Sequence, residues 1–143
     1  GTPTISDPGF KLVRECIKEG IKVESIPGPS SVITALVVSG LPTDKFLFVG
    51  YPPRKPGHRK NFFQSLTTVL HSIKVTLILF ESPHRLLKTL NGLKEVFGDI
   101  DIVICRELTK IHEEIRREKI SSTIDHFSKT NPKGEFTILF NNG

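Results

Sequence analysis

Residues 75–98 read VTLILFESPHRLLKTLNGLKEVFG, and a change of hydrophobic period inside them decides the fold class. The stretch 75–80 is apolar apart from Thr76, as a buried strand is. Ser82-Pro83 then opens a helix, serine being a capping residue and proline being tolerated in a first turn. Leu86, Leu87, Leu90, Leu93, Val96 and Phe97 recur at helical spacing up to Gly98. Toward the C-terminus, 101–105 reads as another strand and 110–118 as a charged helix. Ser122 to Asp125 reads as a capping box for a short helix, and 136–140 as a last strand. Toward the N-terminus, 46–49 is a buried strand, followed by a loop and a helix near 58–71. Further back, Asp7-Pro8 caps a helix carrying Phe10, Val13, Cys16 and Ile17 and ending at Gly20. Residues 21–26 alternate as a half-exposed strand does, and Ser30 or Ser31 caps a short helix through Val32, Ile33, Leu36 and Val37 to Gly40. Alternating strands and helices define an α/β fold. The Leu41-Pro42-Thr43-Asp44 break places a domain boundary at 41–45.

The 143 residues, 16.0 kDa and 37% hydrophobic content suit a single folded core and argue against a large multidomain enzyme or wholesale disorder. Apolar runs fall far short of the ~20 residues a membrane span needs. The opening residues lack the basic start and apolar core of a secretion signal, and Cys16 and Cys105 make no disulfide framework, so a cytoplasmic protein is expected. The five histidines show no ligand spacing with each other or with the cysteines, and neither a GxGxxG motif nor a P-loop occurs; no metal site is expected.

Charge is unevenly placed. Between Lys45 and Phe80 stand six basic residues (Lys45, Arg54, Lys55, Arg59, Lys60, Lys74) and no acidic one, while the rest of the chain carries 14 basic against 15 acidic residues. The excess centres on Tyr51-Pro52-Pro53-Arg54-Lys55-Pro56-Gly57-His58-Arg59-Lys60, a loop whose cations suit phosphate. A solvated loop without a partner is the alternative. Three turns collect polar groups: residues 1–9, Glu81-Ser82-Pro83-His84-Arg85, and Arg106-Glu107-Leu108-Thr109-Lys110. Ligands gather at the carboxyl ends of strands in open α/β sheets, so the three are expected to share one rim. Taken singly, each reads as an ordinary helix cap or surface pair.

Gly1-Thr2-Pro3-Thr4-Ile5-Ser6-Asp7-Pro8-Gly9, Ile26-Pro27-Gly28-Pro29-Ser30-Ser31, Ser39-Gly40-Leu41-Pro42-Thr43-Asp44, Glu81-Ser82-Pro83-His84-Arg85-Leu86, and Arg106-Glu107-Leu108-Thr109-Lys110 followed by His112-Glu113-Glu114 resemble, in order, the motifs of the tetrapyrrole methylase family. The likeness continues to Lys133-Gly134-Glu135-Phe136. Gly1-Thr2-Pro3 stands where relatives acting on tetrapyrroles often carry Gly-Asp-Pro, which favours the RNA-modifying branch. The resemblance implies S-adenosyl-L-methionine as methyl donor and the 2′-hydroxyl of a cytidine in 16S ribosomal RNA as acceptor. It also implies a homodimer, with the small ribosomal subunit as partner; the short apolar runs lead to the expectation of no membrane association.

In fold terms, the resemblance implies that residues 1–43 are the tail of an N-terminal α/β domain and 44–143 most of a C-terminal α/β domain with a mixed sheet. The family's preceding α/β region, with its Pro-Ile-Gly-Asn type loop, has no counterpart here. The chain therefore reads as a piece of a longer enzyme, inactive alone. Carried over by position, cofactor contacts fall on Gly1, Thr2, Ile5, Ser30, Ser31, Glu81 and about Leu108. A ribose hydroxyl needs a base, for which Glu107 is the first candidate by location, with His84 and Glu81 beside it. Arg54, Lys55, Arg59, Lys60 and Arg85 are expected to hold RNA. The competing readings are a non-catalytic RNA-binding or dimerisation module, and a methyltransferase for a small tetrapyrrole.

Overall fold

The structure, a computed structural model, describes residues 1–141; the last two positions of the expected 44–143 domain lie outside them. Within that range the elements run α1 (Phe10–Lys18), α2 (Ser31–Ser39), β1 (Phe46–Phe48), α3 (Pro56–Ser72), β2 (Thr76–Glu81), α4 (Leu86–Phe97), β3 (Asp101–Arg106), β4 (Glu114–Lys119), α5 (Ile120–Lys129) and β5 (Phe136–Phe140). By contacts the chain divides into Gly1–Ser31 and Val32–Gly143. The α2 helix packs with the larger unit: Val32, Ala35 and Leu36 are buried against Ile78, Val103, Cys105 and Leu139 of the sheet. None of the helices is long and apolar enough to cross a membrane, among the described residues.

The larger unit is a mixed five-stranded sheet in the order β1-β2-β5-β3-β4, parallel between β1 and β2 and antiparallel elsewhere. Alternation along the strands sends Leu77, Leu79, Ile102, Ile104, Ile138 and Phe140 to one face, where Phe63, Leu66 and Leu70 of α3, Leu86, Leu90 and Leu93 of α4, and Ile120 and Phe127 of α5 cover them. The opposite face is the one α2 covers. Strands β2, β3 and β5 are therefore sealed on both sides, which is why they read as continuous apolar runs rather than alternating ones.

Two expectations are corrected. Residues 110–118 do not form a helix: 114–119 pair with β3 from Arg106↔Glu114 to Asp101↔Lys119. The physical signal was a period of two, because Glu114, Arg116 and Glu118 share a face and form an ion-pair ladder (Arg116 Nη1 to Glu114 3.3 Å, Nε to Glu118 2.7 Å). Residues 21–26 form no strand. Ile21, Val23 and Ile26 are exposed, and a lone extended segment without a neighbour has no ladder to satisfy its backbone.

The caps also differ in detail. Asp7 does not cap α1, whose N-cap is Gly9. The α5 helix starts at Ile120, and the Asp99 carboxylate accepts hydrogen bonds from the Ser121 amide (2.8 Å) and hydroxyl (2.7 Å). Asp99 thus performs the service expected within 122–125. The remaining strands and helices stand within a few residues of their expected bounds.

Candidate functional site

Register brings two of the three polar turns to one edge. The start of β5 lies between the ends of β2 and β3, since Phe136 pairs with both Glu81 and Arg106. Backbone bonds from Val49 N to Ile78 O (2.9 Å) and from Phe80 N to Gly50 O (2.9 Å) carry the β1 ladder forward. Tyr51 and the basic loop therefore rise at that same edge. The third turn, residues 1–9, belongs to the Gly1–Ser31 unit.

At the end of β2, Glu81 is 1% exposed, and both its oxygens are used by its own chain. Oε1 accepts the Ser82 amide at 2.7 Å, and Oε2 accepts the Thr89 hydroxyl at 2.6 Å. Arg85 Nε stands 3.3 Å from Oε1 while its Nη2 donates to the Pro52 carbonyl. A buried carboxylate so engaged clamps the β2–α4 turn, and its charge is matched by Arg85. His84 projects from the same turn and is exposed.

At the end of β3, Arg106 donates from Nε to the Lys133 carbonyl (2.6 Å) and pairs with Glu114 (3.2 Å). Glu107 follows with φ 49°. Its amide donates to Glu135 O at 3.1 Å, and its Oε1 accepts the Glu135 amide at 2.9 Å and Lys110 Nζ at 3.1 Å. The Glu135 amide, and then Lys110, hold the Glu107 carboxyl below the usual carboxylate range; the Glu107 carboxylate, and then that of Glu135, raise Lys110. Leu108 is half-buried against the α2 side of the sheet. The 133–135 segment, which falls within the family likeness but to which no site role was assigned, is thus what holds this turn together. Its signal was Gly134: at φ 88°, a Cβ there would stand 2.5 Å from Glu107 Cγ.

Non-glycine residues with positive φ, among the described residues, are Thr4, Ser6, Glu107 and Thr109. They fall in two of the three turns marked by sequence. A β-branched residue rarely adopts this conformation, and such strain concentrates where backbone groups serve a ligand. In the Gly1–Ser31 unit, Thr2 Oγ1 donates to Pro29 O at 2.9 Å, and a Cβ on Gly1 would meet that same oxygen at 3.9 Å. The Gly1, Thr2 turn and the turn leading to Ser30 and Ser31 are therefore neighbours, and Ile5 is exposed. Glu81 and Leu108 belong to the other unit.

The basic loop separates into two kinds of residue. Arg54 and Lys55 are exposed and form no ion pair among the described residues. Arg59 is buried, its Nη1 donating to Arg54 O at 3.1 Å, and Lys60 pairs with Glu95 across to α4. Arg59 thus builds the loop rather than presenting charge. Tyr51, the chain's single tyrosine, was passed over as a candidate in the sequence, though an aromatic inside a Pro-rich basic run was the available signal. It lines a cleft of about 420 Å³ with Pro52, Pro53, Arg54, Ser82 and Arg85.

A mixed sheet with helices on both faces, and polar turns gathered beyond strand ends, is an α/β ligand-binding architecture. Comparisons with known proteins narrow it. The family described as Tetrapyrrole (Corrin/Porphyrin) Methylases matches residues 1–123. The chain is similar to proteins named Ribosomal RNA small subunit methyltransferase I. Identity is 45% over 139 residues with that of Thermotoga maritima (97% of this chain, 60% of that protein) and 48% over 140 residues with that of a Hydrogenobaculum species (97% and 59%). With that of Mycobacterium tuberculosis it is 49% over 140 residues (97% and 47%). The chain therefore spans 47–60% of the length of these three relatives. Among solved structures, the fold resembles a cobalt precorrin-4 methyltransferase of cobalamin biosynthesis, with TM-score 0.68, 18% identity, and 97% of this chain and 60% of that one covered. It also resembles the uroporphyrin-III C-methyltransferase of Thermus thermophilus complexed with S-adenosyl homocysteine, with TM-score 0.57, 19% identity, and 97% and 62% covered. The chain belongs to the tetrapyrrole methylase family.

Proposed function

We propose that the protein methylates the 2′-hydroxyl of a cytidine in 16S ribosomal RNA, with S-adenosyl-L-methionine as donor. The observation that carries this reading is the 45–49% identity, across 97% of the chain, to proteins named for methylation of small-subunit ribosomal RNA. The solved relative complexed with S-adenosyl homocysteine supports the choice of donor. Residues 1–43 would be the tail of an N-terminal domain and 44–143 a C-terminal one, in a homodimer that docks on the small subunit.

The residues present fit such a donor. Residues 1–9 form a turn with Thr4, Ser6 and Gly9 held at positive φ, so main-chain groups are turned toward a ligand. When bound, S-adenosyl-L-methionine supplies an electrophilic methyl group on a sulfonium. Gly1, Thr2, Ile5, Ser30 and Ser31 would hold it by main-chain and small side-chain contacts. Because both Glu81 oxygens are already used within the chain, Glu81 would act by fixing the backbone of its turn. For the acceptor, the task of the chain is to orient the hydroxyl in line and take its proton. Glu107 stays a carboxylate across the neutral range, as a base must, but its two donors make it a weak proton acceptor; His84 has an imidazole free in solvent. Arg54 and Lys55 would bring the RNA phosphates to the edge.

The test is to incubate the intact protein with small ribosomal subunits lacking the modification and with labelled donor, then to digest the RNA. The label is expected in 2′-O-methylcytidine. Label in a porphyrin-like acid, with none in RNA, would instead support the tetrapyrrole reading, and label in neither would leave a binding module. Glu107→Gln and His84→Gln then separate the two base candidates, since loss of the proton acceptor should lower kcat by about 10²- to 10⁴-fold with KM little changed, whereas loss of a group that only holds the substrate mainly raises KM.

A further inference from the structure

The cleft at the head of the basic loop is built unlike the rest of that loop. Tyr51 packs edge-to-face in an aromatic cluster: its ring centroid is 5.7 Å from that of Phe80 at an interplanar angle of 65°, and Phe80 is in turn 4.7 Å from Phe48. The ring is thus held from below while the residue remains 51% exposed. Two arginines pin the loop backbone beside it, Arg85 through the Pro52 carbonyl and Arg59 through the Arg54 carbonyl. Pro52 and Pro53 restrict the backbone further. Arg85 is charge-matched by Glu81 and Arg59 is buried, so among the described residues the cation left free at the cleft is Arg54. Ser82 adds a hydroxyl to the wall. Burial holds the Tyr51 phenol above its ordinary pKa, so it is neutral and a hydrogen-bond donor at physiological pH.

We propose that this cleft holds one unpaired nucleotide of the RNA, its base stacked on Tyr51 and its phosphate on Arg54, with Arg85 and Arg59 as positioning residues that preorganise the loop. The assignment rests on the RNA-directed reading above and names the subsite through which that RNA is gripped. A π-face beside a free guanidinium is the pairing that single-stranded nucleic acid uses, and the ~420 Å³ volume lies within the range of small-ligand sites. Preorganisation matters because the side chains do not have to be ordered on binding.

The chain contains one tyrosine and no tryptophan, so its tyrosine emission comes from Tyr51. Titration with an unstructured single-stranded RNA of about ten nucleotides should quench that emission to saturation, stacking being the cause. Tyr51→Ala should weaken RNA binding on the order of 5- to 100-fold without changing its salt dependence, and Tyr51→Phe should retain it. Arg54→Ala should lower the slope of log K against log salt by about 0.7, the value for one phosphate on a single strand. Arg54→Glu, which leaves the aromatic cluster untouched, should abolish tight binding even if Tyr51→Ala compromises folding. RNA that binds wild type and Tyr51→Ala alike, or binds without quenching, overturns the pocket while methylation of 16S RNA by the wild type leaves the larger reading standing. RNA that neither binds nor is methylated overturns both. Quenching by a porphyrin-like acid but not by RNA overturns the nucleotide assignment.

Discussion

Glu107 and Gly134 form one local device, and its parts can be tested separately. The Glu135 amide and Lys110 stabilise the ionised Glu107, so its folded-state pKa lies below the ordinary 4.5. A depressed carboxylate pKa contributes stability that is complete above the unfolded value and is lost as pH falls through the folded one. The acid limb of the stability curve, followed by urea melts below about pH 4.5, should therefore flatten in Glu107→Gln. Gly134→Ala forces a side chain into a positive-φ position and against Glu107 Cγ, and should cost about 1–3 kcal/mol in denaturant unfolding. The cysteines offer a further check. Burial pushes the Cys105 thiol up to about 11, whereas Cys16 is only half-buried. Alkylation of the native protein at neutral pH should label Cys16 and spare Cys105, as read by peptide mass. The residue types at these positions were visible in the sequence. Their partners were not, because Glu135 reaches Glu107 through strand pairing between segments far apart in the chain.

At the scale of elements, α4 shows local pattern and tertiary context agreeing. Leu86, Leu90 and Leu93 are fully buried, each worth about 1.5–3 kcal/mol, and the turn ahead of them is closed by Arg85 N and Leu86 N on Ser82 O. The Glu81–Thr89 hydrogen bond ties the helix to the strand before it. Thr89→Val preserves shape and removes the donor, leaving a buried carboxylate oxygen without its partner, and should lower unfolding free energy by about 1–3 kcal/mol in chemical denaturation. The β4 strand shows the reverse case. Glu114-Ile115-Arg116-Arg117-Glu118-Lys119 is charged enough to read as a solvated helix face, yet it becomes the sheet's edge, where charge is what an edge strand tolerates. The 21–26 segment fails for the complementary reason: its alternation is that of a strand, but a strand exists only with a neighbour.

Over the whole molecule, the basic residues between Lys45 and Phe80 are one patch in the sequence, but in the fold Arg54 and Lys55 form no ion pair among the described residues while Arg59 and Lys60 are engaged by Arg54 O and Glu95. Substituting Arg54 and Lys55 together by Ala should weaken RNA binding, lower the salt slope by about 1.4 and leave the melting temperature unchanged. Arg59→Ala should instead lower the melting temperature, since it removes the bond to Arg54 O and the packing against Gly92, where a Cβ would stand 3.5 Å from Arg59 Nε. The family and the α/β class were legible in the sequence because they rest on local information: apolar runs of strand length, helical leucine spacing, and short turn motifs whose backbone needs Gly, Pro or Ser. The sequence by itself likewise determined where strands β2, β3 and β5 lie, their side chains being apolar on both faces. Only the tertiary structure decided which polar residues are available to a ligand. It used up Glu81 and Arg59 inside the fold, tied Glu107 to Glu135, and set Tyr51 beside Arg54 against edge-to-face rings. The physical reason is that a buried charge must find partners wherever the sheet order brings them, and the order β1-β2-β5-β3-β4 is set by packing and pairing over the whole chain rather than by any local pattern.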